Sequence, residues 1–90
     1  MPRYANLEFS DEYFASFASQ EFTDADRRRF IRCMRLLDDN ERHPSLRVHD
    51  LKGDRAGSWS ASASDQLRII FRRLPNGKKE LVSCSRHYGD

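Results

Sequence analysis

The sequence has few of the features that would assign it to a secreted or membrane class. It contains only two cysteines, Cys33 and Cys84, in 90 residues, which do not make a disulfide framework in a chain without a secretion signal. No apolar run approaches the roughly 20 residues that cross a bilayer, and the first residues lack the apolar core of a signal peptide. We therefore expect a cytoplasmic protein that makes no membrane contact and buries each cysteine as a small hydrophobic residue.

Familiar catalytic and metal-binding motifs are also absent. The chain has three histidines, which are His43, His49 and His87. Their spacing fits neither a zinc finger nor a zincin motif, so we predict no metal and no other cofactor. The segment around Ser58 does not contain the G-x-S-x-G pattern of a serine nucleophile elbow.

The chain does contain enough apolar sequence for one compact domain. Hydrophobic residues make up 38% of the chain and charged residues 33%, a balance typical of a folded domain, so we predict a single domain over residues 1–90. The net charge of +2 divides into −2 for residues 1–45, with seven Arg and nine acids, and +4 for residues 46–90, with nine Lys or Arg and five acids. The positive second half is compatible with a polyanionic partner, although a solvated charged surface is the simpler explanation.

The first half of the chain predicts a strand and two helices. Alternation over Tyr4–Phe9 is typical of a strand, and Ser10 follows as a helix N-cap. Thr23 and Asp26 have the spacing of a capping box. The apolar stripe that follows them at helical spacing predicts a second, longer helix, so that residues 11–40 form a helical pair.

In the second half of the chain, apolar residues no longer recur at helical spacing but alternate with polar ones, with a period of two residues. Four segments are predicted to be strands: SLRVHDL, SWSASAS, QLRIIFRR and KELVSCS. A tight turn at Pro75-Asn76-Gly77 joins the last two. Ala61 and Ala63 should face inward, where small side chains let a helix lie close. The predicted fold is α+β, with an N-terminal strand and a two-helix pair packed on a small, mainly antiparallel four-stranded sheet.

Basic side chains on this sheet are candidates for phosphate binding. By alternation, Arg68 and Arg72 share one face. If Leu67, Ile69 and Phe71 on the opposite face pack on the helices, both arginines lie on the open face, where guanidinium groups match phosphate geometry. The other basic candidates of this half are Lys52, Arg55 and Arg86. A solvated sheet face explains the same pattern without a function.

Five short motifs follow one another along residues 43–88. They are His43-Pro44, Leu51-Lys52-Gly53, Gly57-Ser58-Trp59-Ser60, Arg68-Ile69-Ile70-Phe71 and Arg86-His87-Tyr88. In this order and spacing, after a helical pair, they resemble the RelE/ParE superfamily of bacterial type II toxins. The resemblance implies a RelE-like fold and a cognate antitoxin that holds the toxin inactive.

Superfamily members similar to RelE, YoeB, YafQ and HigB cleave mRNA, usually on the translating ribosome. By this resemblance Arg68 contacts the scissile phosphate, while His87 acts as general acid and His49 as a possible base. The expected substrate-binding residues are Lys52, Arg55, Arg72, Arg86 and Tyr88. The implied reaction is attack of a ribose 2′-OH on its own 3′ phosphate, which needs a base, an acid and cations but no metal. Histidine, with an unperturbed pKa of about 6.5, can fill either proton role.

Two alternatives stay open at this level. ParE-like members inhibit DNA gyrase and need no nuclease site, and a catalytically silent relative would keep only its antitoxin interaction or DNA autoregulation. The histidines favour the endoribonuclease, whose partners would be mRNA, the ribosome and the cognate antitoxin.

Overall fold

The computed structural model describes residues 4–86, which form a five-stranded sheet with two helices on one face. The elements are β1 (Leu7–Phe9), α1 (Asp11–Phe17), α2 (Asp24–Asp39), β2 (His49–Asp50), β3 (Ser58–Ser62), β4 (Leu67–Arg73) and β5 (Lys79–Arg86), with 3-10 turns at Pro44–Leu46 and Gly53–Arg55. The strand order is β1-β5-β4-β3-β2, in which β1 runs parallel to β5 and all other pairs are antiparallel. The α+β prediction is confirmed, with one strand more in the sheet than predicted because β1 joins it beside β5.

Both helices begin at the predicted capping residues. The Ser10 side-chain oxygen accepts a hydrogen bond from the Tyr13 backbone N–H at 3.0 Å. Thr23 and Asp26 form a reciprocal capping box, with both hydrogen bonds at 3.0 Å. These caps satisfy backbone N–H groups that the start of a helix leaves unpaired. The helical pair predicted for residues 11–40 is therefore confirmed.

Two predicted strands are shorter in the structure. The strand predicted for Tyr4–Phe9 covers only Leu7–Phe9. The segment SLRVHDL is not one strand, because a 3-10 turn opened by a proline covers Pro44–Leu46 and Arg47 has a left-handed backbone with φ of 47°. This conformation breaks the extended geometry of a strand, so only His49–Asp50 pairs with β3.

The sheet has one face packed against the helices and one open face. The core between the layers includes Tyr13, Phe22, Phe30, Leu37, Ala61, Ile69, Phe71, Leu81 and Cys84. Ala61 is fully buried there, as predicted. Leu81 and Cys84 both face the core although they are three residues apart, because a β-bulge leaves Val82 without a partner on β4.

Both cysteines are free thiols buried in this core, as predicted. Burial raises the pKa of the Cys33 thiol to about 12 and that of the Cys84 thiol to about 11. Thiols with such pKa values stay protonated at neutral pH, so neither cysteine supplies a thiolate nucleophile.

An ionic cluster ties the loop after α2 to the sheet. Glu41 accepts two hydrogen bonds from the Arg73 guanidinium, and its carboxylate lies 3.6 Å from the Lys79 ammonium group. The hydrogen bond from Arg73, together with the charges of Arg73 and Lys79, lowers the pKa of Glu41. A lowered pKa means that the carboxylate stabilises the fold above its unfolded-state pKa, and that this contribution is lost as the pH falls through the folded-state pKa.

Replacing Glu41 with glutamine is therefore expected to lower the free energy of unfolding at pH 7 by about 1 kcal/mol, the upper range for a partly exposed ion pair. The difference from the wild type should shrink as the pH is lowered through the folded-state pKa of Glu41. Urea unfolding at pH 7 and at acidic pH measures both quantities. The control is Asp39→Asn, because Asp39 is exposed and forms no ion pair within residues 4–86. An equal loss at both pH values would contradict an electrostatic origin.

Candidate active site

The open face of the sheet brings together three of the predicted site residues. The pairing register places His49, Ser60, Ile70 and Ser83 in one row across four strands. The row on one side is Ser62, Arg68 and Ser85, and the row on the other side is Ser58, Arg72 and Glu80. Residues directly opposed in antiparallel strands share a face. His49, Arg68 and Arg72 therefore lie on the same surface.

His49 and Arg68 are spaced so that both can reach one phosphodiester group. They lie two strands apart and two residues out of line, which corresponds to about 12 Å between their Cα atoms. Only the serine side chains of Ser60 and Ser62 lie between them on β3. A phosphate that bridges the two side chains would lie over Ser60 and Ser62.

The His49 side chain is exposed, and the backbone sets its ring orientation. Its Nδ1 lies 3.0 Å from the Arg47 carbonyl oxygen. Since a carbonyl oxygen only accepts hydrogen bonds, Nδ1 carries the proton. In the neutral ring, Nε2 is then the unprotonated nitrogen and can take a proton from a substrate hydroxyl. Arg47, which interrupts the predicted strand, thus orients the candidate base.

Arg68 is half-buried at the turn between β3 and β4. Its Nη1 donates hydrogen bonds to the carbonyl oxygens of Ser64 at 2.7 Å and Leu67 at 3.0 Å. A guanidinium has five N–H donors, so Nε and Nη2 retain three donors that bond no other group in residues 4–86. The two bonds hold the guanidinium in place before a ligand binds, a pre-organisation that favours stabilisation of developing charge.

The other cations predicted to bind substrate lie toward the opposite end of the open face. Arg72 is exposed at the end of β4 farther from the β3–β4 turn. Lys52 and Arg55 follow Leu51, whose N–H donates to the Ser58 carbonyl at 2.9 Å. Lys52 Nζ lies 3.4 Å from the carboxylate of Asp50, and both side chains are largely exposed. Lys52 and Arg55 extend the positive surface beyond the row that contains Arg72.

Arg86 lies on the helix side of the sheet instead of the open face. It pairs with Leu67 in the strand register, so its side chain faces the helices. Its Nη2 donates to the Glu21 carbonyl oxygen at 2.9 Å and lies 3.3 Å from Asp26 Oδ2, and its guanidinium lies over the Phe22 ring. These contacts fasten the end of β5 to the start of α2, and the role of Arg86 in binding phosphate stays a prediction.

Replacing Arg86 with alanine is expected to lower the free energy of unfolding by about 1 kcal/mol, the size of one hydrogen bond such as that to the Glu21 carbonyl. Urea unfolding measures this change. An Arg35→Ala variant is the control, because Arg35 is exposed on α2 and forms no ion pair with any described residue. An Arg86→Ala protein that unfolds like the wild type but cleaves substrate poorly would instead support the predicted role of Arg86 in substrate binding.

Two of the predicted site residues, His87 and Tyr88, lie outside the described residues and follow the end of β5 in the sequence. Their roles stay predictions.

Within residues 4–86, no group of three or more His, Cys, Asp or Glu side chains could hold a metal ion. In the same range, no helix has both the length and the apolar character needed to cross a bilayer.

Sequence reasoning missed the serines that form the floor of the open face. In the sequence, the segment with Ser58, Ser60 and Ser62 was interpreted only through its alanines, which pack toward the helices. The same alternation places three hydroxyls beside Arg68, Ile70 and Arg72. Ser83 and Ser85 line the other side of β4. The period of two in β3 was the signal that could have identified this polar floor.

Comparison with known proteins places this architecture among solved toxin structures. No family model and no curated protein matches the chain. A YoeB/ParE toxin from Agrobacterium tumefaciens is 24% identical, with a TM-score of 0.71 over 92% of this chain and 99% of that chain. In the archaeal RelE–RelB complex from Pyrococcus horikoshii OT3 the identity is 17%, with a TM-score of 0.67 over 93% of this chain and 96% of the other.

A third similar structure is the heterotetrameric YoeB–YefM toxin–antitoxin complex from Staphylococcus aureus. It is 22% identical and has a TM-score of 0.61, over 92% of this chain and 97% of the matched chain. The agreement covers nearly the full length of each matched chain, so it concerns the whole architecture and not a shared fragment. The chain therefore has the fold of the YoeB and RelE toxins, as its five motifs predict.

Proposed function

We propose that this protein is the toxin of a type II toxin–antitoxin module and that it cleaves mRNA on the translating ribosome. The observation that carries the proposal is the placement of His49 and Arg68 on one open face, with His49 Nε2 and the Arg68 Nε and Nη2 donors unused within residues 4–86. A proton acceptor and a phosphate-binding cation at this spacing suit cleavage of a phosphodiester bond. The likeness of the fold to toxin structures supports the toxin class.

In the proposed reaction, the RNA strand lies across the open face with its scissile phosphate at Arg68. His49 Nε2 takes the proton of the ribose 2′-OH as that oxygen attacks the adjacent phosphorus. Arg68 donates hydrogen bonds to the phosphoryl oxygens, on which negative charge grows. The bond from phosphorus to the 5′ oxygen breaks, and His87 gives that oxygen a proton. The products are a 2′,3′-cyclic phosphate and a 5′-hydroxyl end, and DNA is no substrate because it lacks the 2′-OH.

Lys52, Arg55 and Arg72 would hold flanking parts of the RNA backbone, and Tyr88 would stack on a base or orient the strand. The proposed protein partner is a cognate antitoxin, supported by the likeness to the YoeB–YefM toxin–antitoxin complex. The proposed substrate complex is mRNA on the ribosome, which places the activity in the cytoplasm.

The test is primer extension on a reporter mRNA after induction of the protein in cells. A matched reporter in which the start codon is destroyed separates cleavage of translated mRNA from cleavage of any RNA. We expect discrete cuts within codons of the translated reporter, with 5′-hydroxyl ends, and none in the untranslated one. Growth arrest with DNA damage and no mRNA cleavage would overturn the proposal in favour of gyrase inhibition. No growth arrest and no cleavage would indicate a silent relative.

A further inference from the structure

An open cavity of about 390 Å³ lies beside the candidate active site, between α2, the first 3-10 turn and the turn from β3 to β4. Its polar lining residues are Arg32, Ser45, Arg47, Ser62, Ser64 and Asp65. Two guanidinium groups and three hydroxyls thus converge from three separate parts of the chain. The two guanidinium groups and the hydroxyls of Ser62 and Ser64 are donors that match the oxygen atoms of a phosphate group.

The two arginines of this cavity are available for a ligand. Arg32 and Arg47 are exposed, and neither forms an ion pair with an acid in residues 4–86. A neighbouring cavity of about 330 Å³ is lined by Arg42, Arg73 and the same Arg47, but it also contains Glu41, which pairs with Arg73. Asp65 is the one acidic residue of the first cavity, so two positive charges there face one negative charge.

Direct contacts join the first cavity to both residues of the candidate active site. Ser62 is the cross-strand partner of Arg68, and Arg68 donates to the carbonyl of Ser64. On the other side, the carbonyl of Arg47 accepts the hydrogen bond that orients His49. The cavity is therefore continuous with the surface on which the scissile phosphate would lie.

We propose that this cavity binds a second phosphate of the same RNA strand, next to the scissile phosphate at Arg68. The inference rests on the proposed function for the identity of the strand. Arg32 and Arg47 hold the phosphate, the hydroxyls of Ser62 and Ser64 donate further hydrogen bonds, and Asp65 weakens binding through its negative charge. The cavity fixes the direction in which the strand runs from the open face toward α2, and thereby which ribose meets His49.

The test measures binding of the full-length protein to a fluorescein-labelled single-stranded hexaribonucleotide by anisotropy. Every ribose of the probe is 2′-O-methylated, so that it cannot be cleaved. Arg32→Gln is expected to weaken binding by about 3-fold to 10-fold at low salt, and to reduce the slope of log K against log salt by about 0.7, the value for one phosphate contact on a single strand. Asp65→Asn is expected to tighten binding by about 2-fold to 3-fold, because it removes a repulsive charge.

Arg35→Gln is the matched control, because Arg35 is another exposed arginine of α2 that does not line the cavity. It should bind the probe as the wild type does. A folding defect cannot explain tighter binding by Asp65→Asn, so the pair of opposite changes distinguishes a site from a damaged protein. Binding by Arg32→Gln and Asp65→Asn that equals the wild type, or no binding of the probe by the wild type, overturns the inference.

The reporter experiment above keeps this inference separate from the proposed function. Cleavage of translated mRNA together with unchanged probe binding by Arg32→Gln would overturn only the proposal that the cavity binds a phosphate. Absence of cleavage, with weaker binding by Arg32→Gln and tighter binding by Asp65→Asn, would overturn the proposed nuclease activity. The cavity would then remain a binding site for a nucleic-acid phosphate.

Discussion

Replacing His49 with alanine is expected to lower the rate of reporter cleavage by about 100-fold to 10,000-fold, the range for loss of a general base. The expectation follows from the hydrogen bond of Nδ1 to the Arg47 carbonyl, which leaves Nε2 as the proton acceptor on the open face. Alanine removes the acceptor without disturbing the core, because His49 is exposed on a two-residue edge strand. Quantitative primer extension on the translated reporter measures the change.

His43→Ala is the matched control for this prediction. His43 also uses Nδ1 in a local hydrogen bond, as acceptor from the Ser45 backbone N–H at 3.2 Å, but it caps a 3-10 turn away from the open face. Cleavage by His43→Ala should stay near the wild-type rate. Full cleavage by His49→Ala would remove His49 from the mechanism and require another group as the base.

The elements that the sequence predicts well are those set by local chemistry. The capping box at Thr23 and the N-cap at Ser10 mark the helix starts, because a side-chain acceptor within three residues satisfies the first backbone N–H groups. Alternation in β4 correctly places Arg68 and Arg72 on one face. Both signals depend only on residues that are neighbours in the sequence.

The features that sequence reasoning misses depend on tertiary context. The residues around Arg47 in the sequence do not predict its positive φ, although this one residue shortens β2 and orients His49. Arg86 is a different case, because it lies two residues after the inward-facing Cys84 and alternation alone would have placed it on the helix side. Its cationic character suggested a phosphate ligand, but its position in the strand decides that it meets Asp26 and the Glu21 carbonyl.

Replacing Arg68 with alanine is expected to lower reporter cleavage by about 100-fold to 1,000-fold, the effect of removing one pre-organised donor group from a site of developing charge. We propose two roles for Arg68, because Nη1 bonds the turn between β3 and β4 while Nε and Nη2 bond no other group in residues 4–86 and can bind the phosphate. Loss of the turn contacts is expected to lower the free energy of unfolding by about 1 to 2 kcal/mol. Urea unfolding therefore has to accompany the cleavage assay.

The conservative variant Arg68→Lys separates the two roles. Lysine keeps the charge, but its single ammonium group has no planar fork that could bond the turn carbonyls and a phosphate at once. We expect it to retain stability better than alanine and still lose most of the cleavage rate. An Arg35→Ala protein, which changes an exposed arginine on α2, should cleave like the wild type. If Arg68→Lys cleaves at the wild-type rate, the positive charge alone suffices at this site, and the planar guanidinium group is not required. If both Arg68 variants cleave normally, the scissile phosphate is held elsewhere on the open face, and Arg72 becomes the residue to replace next.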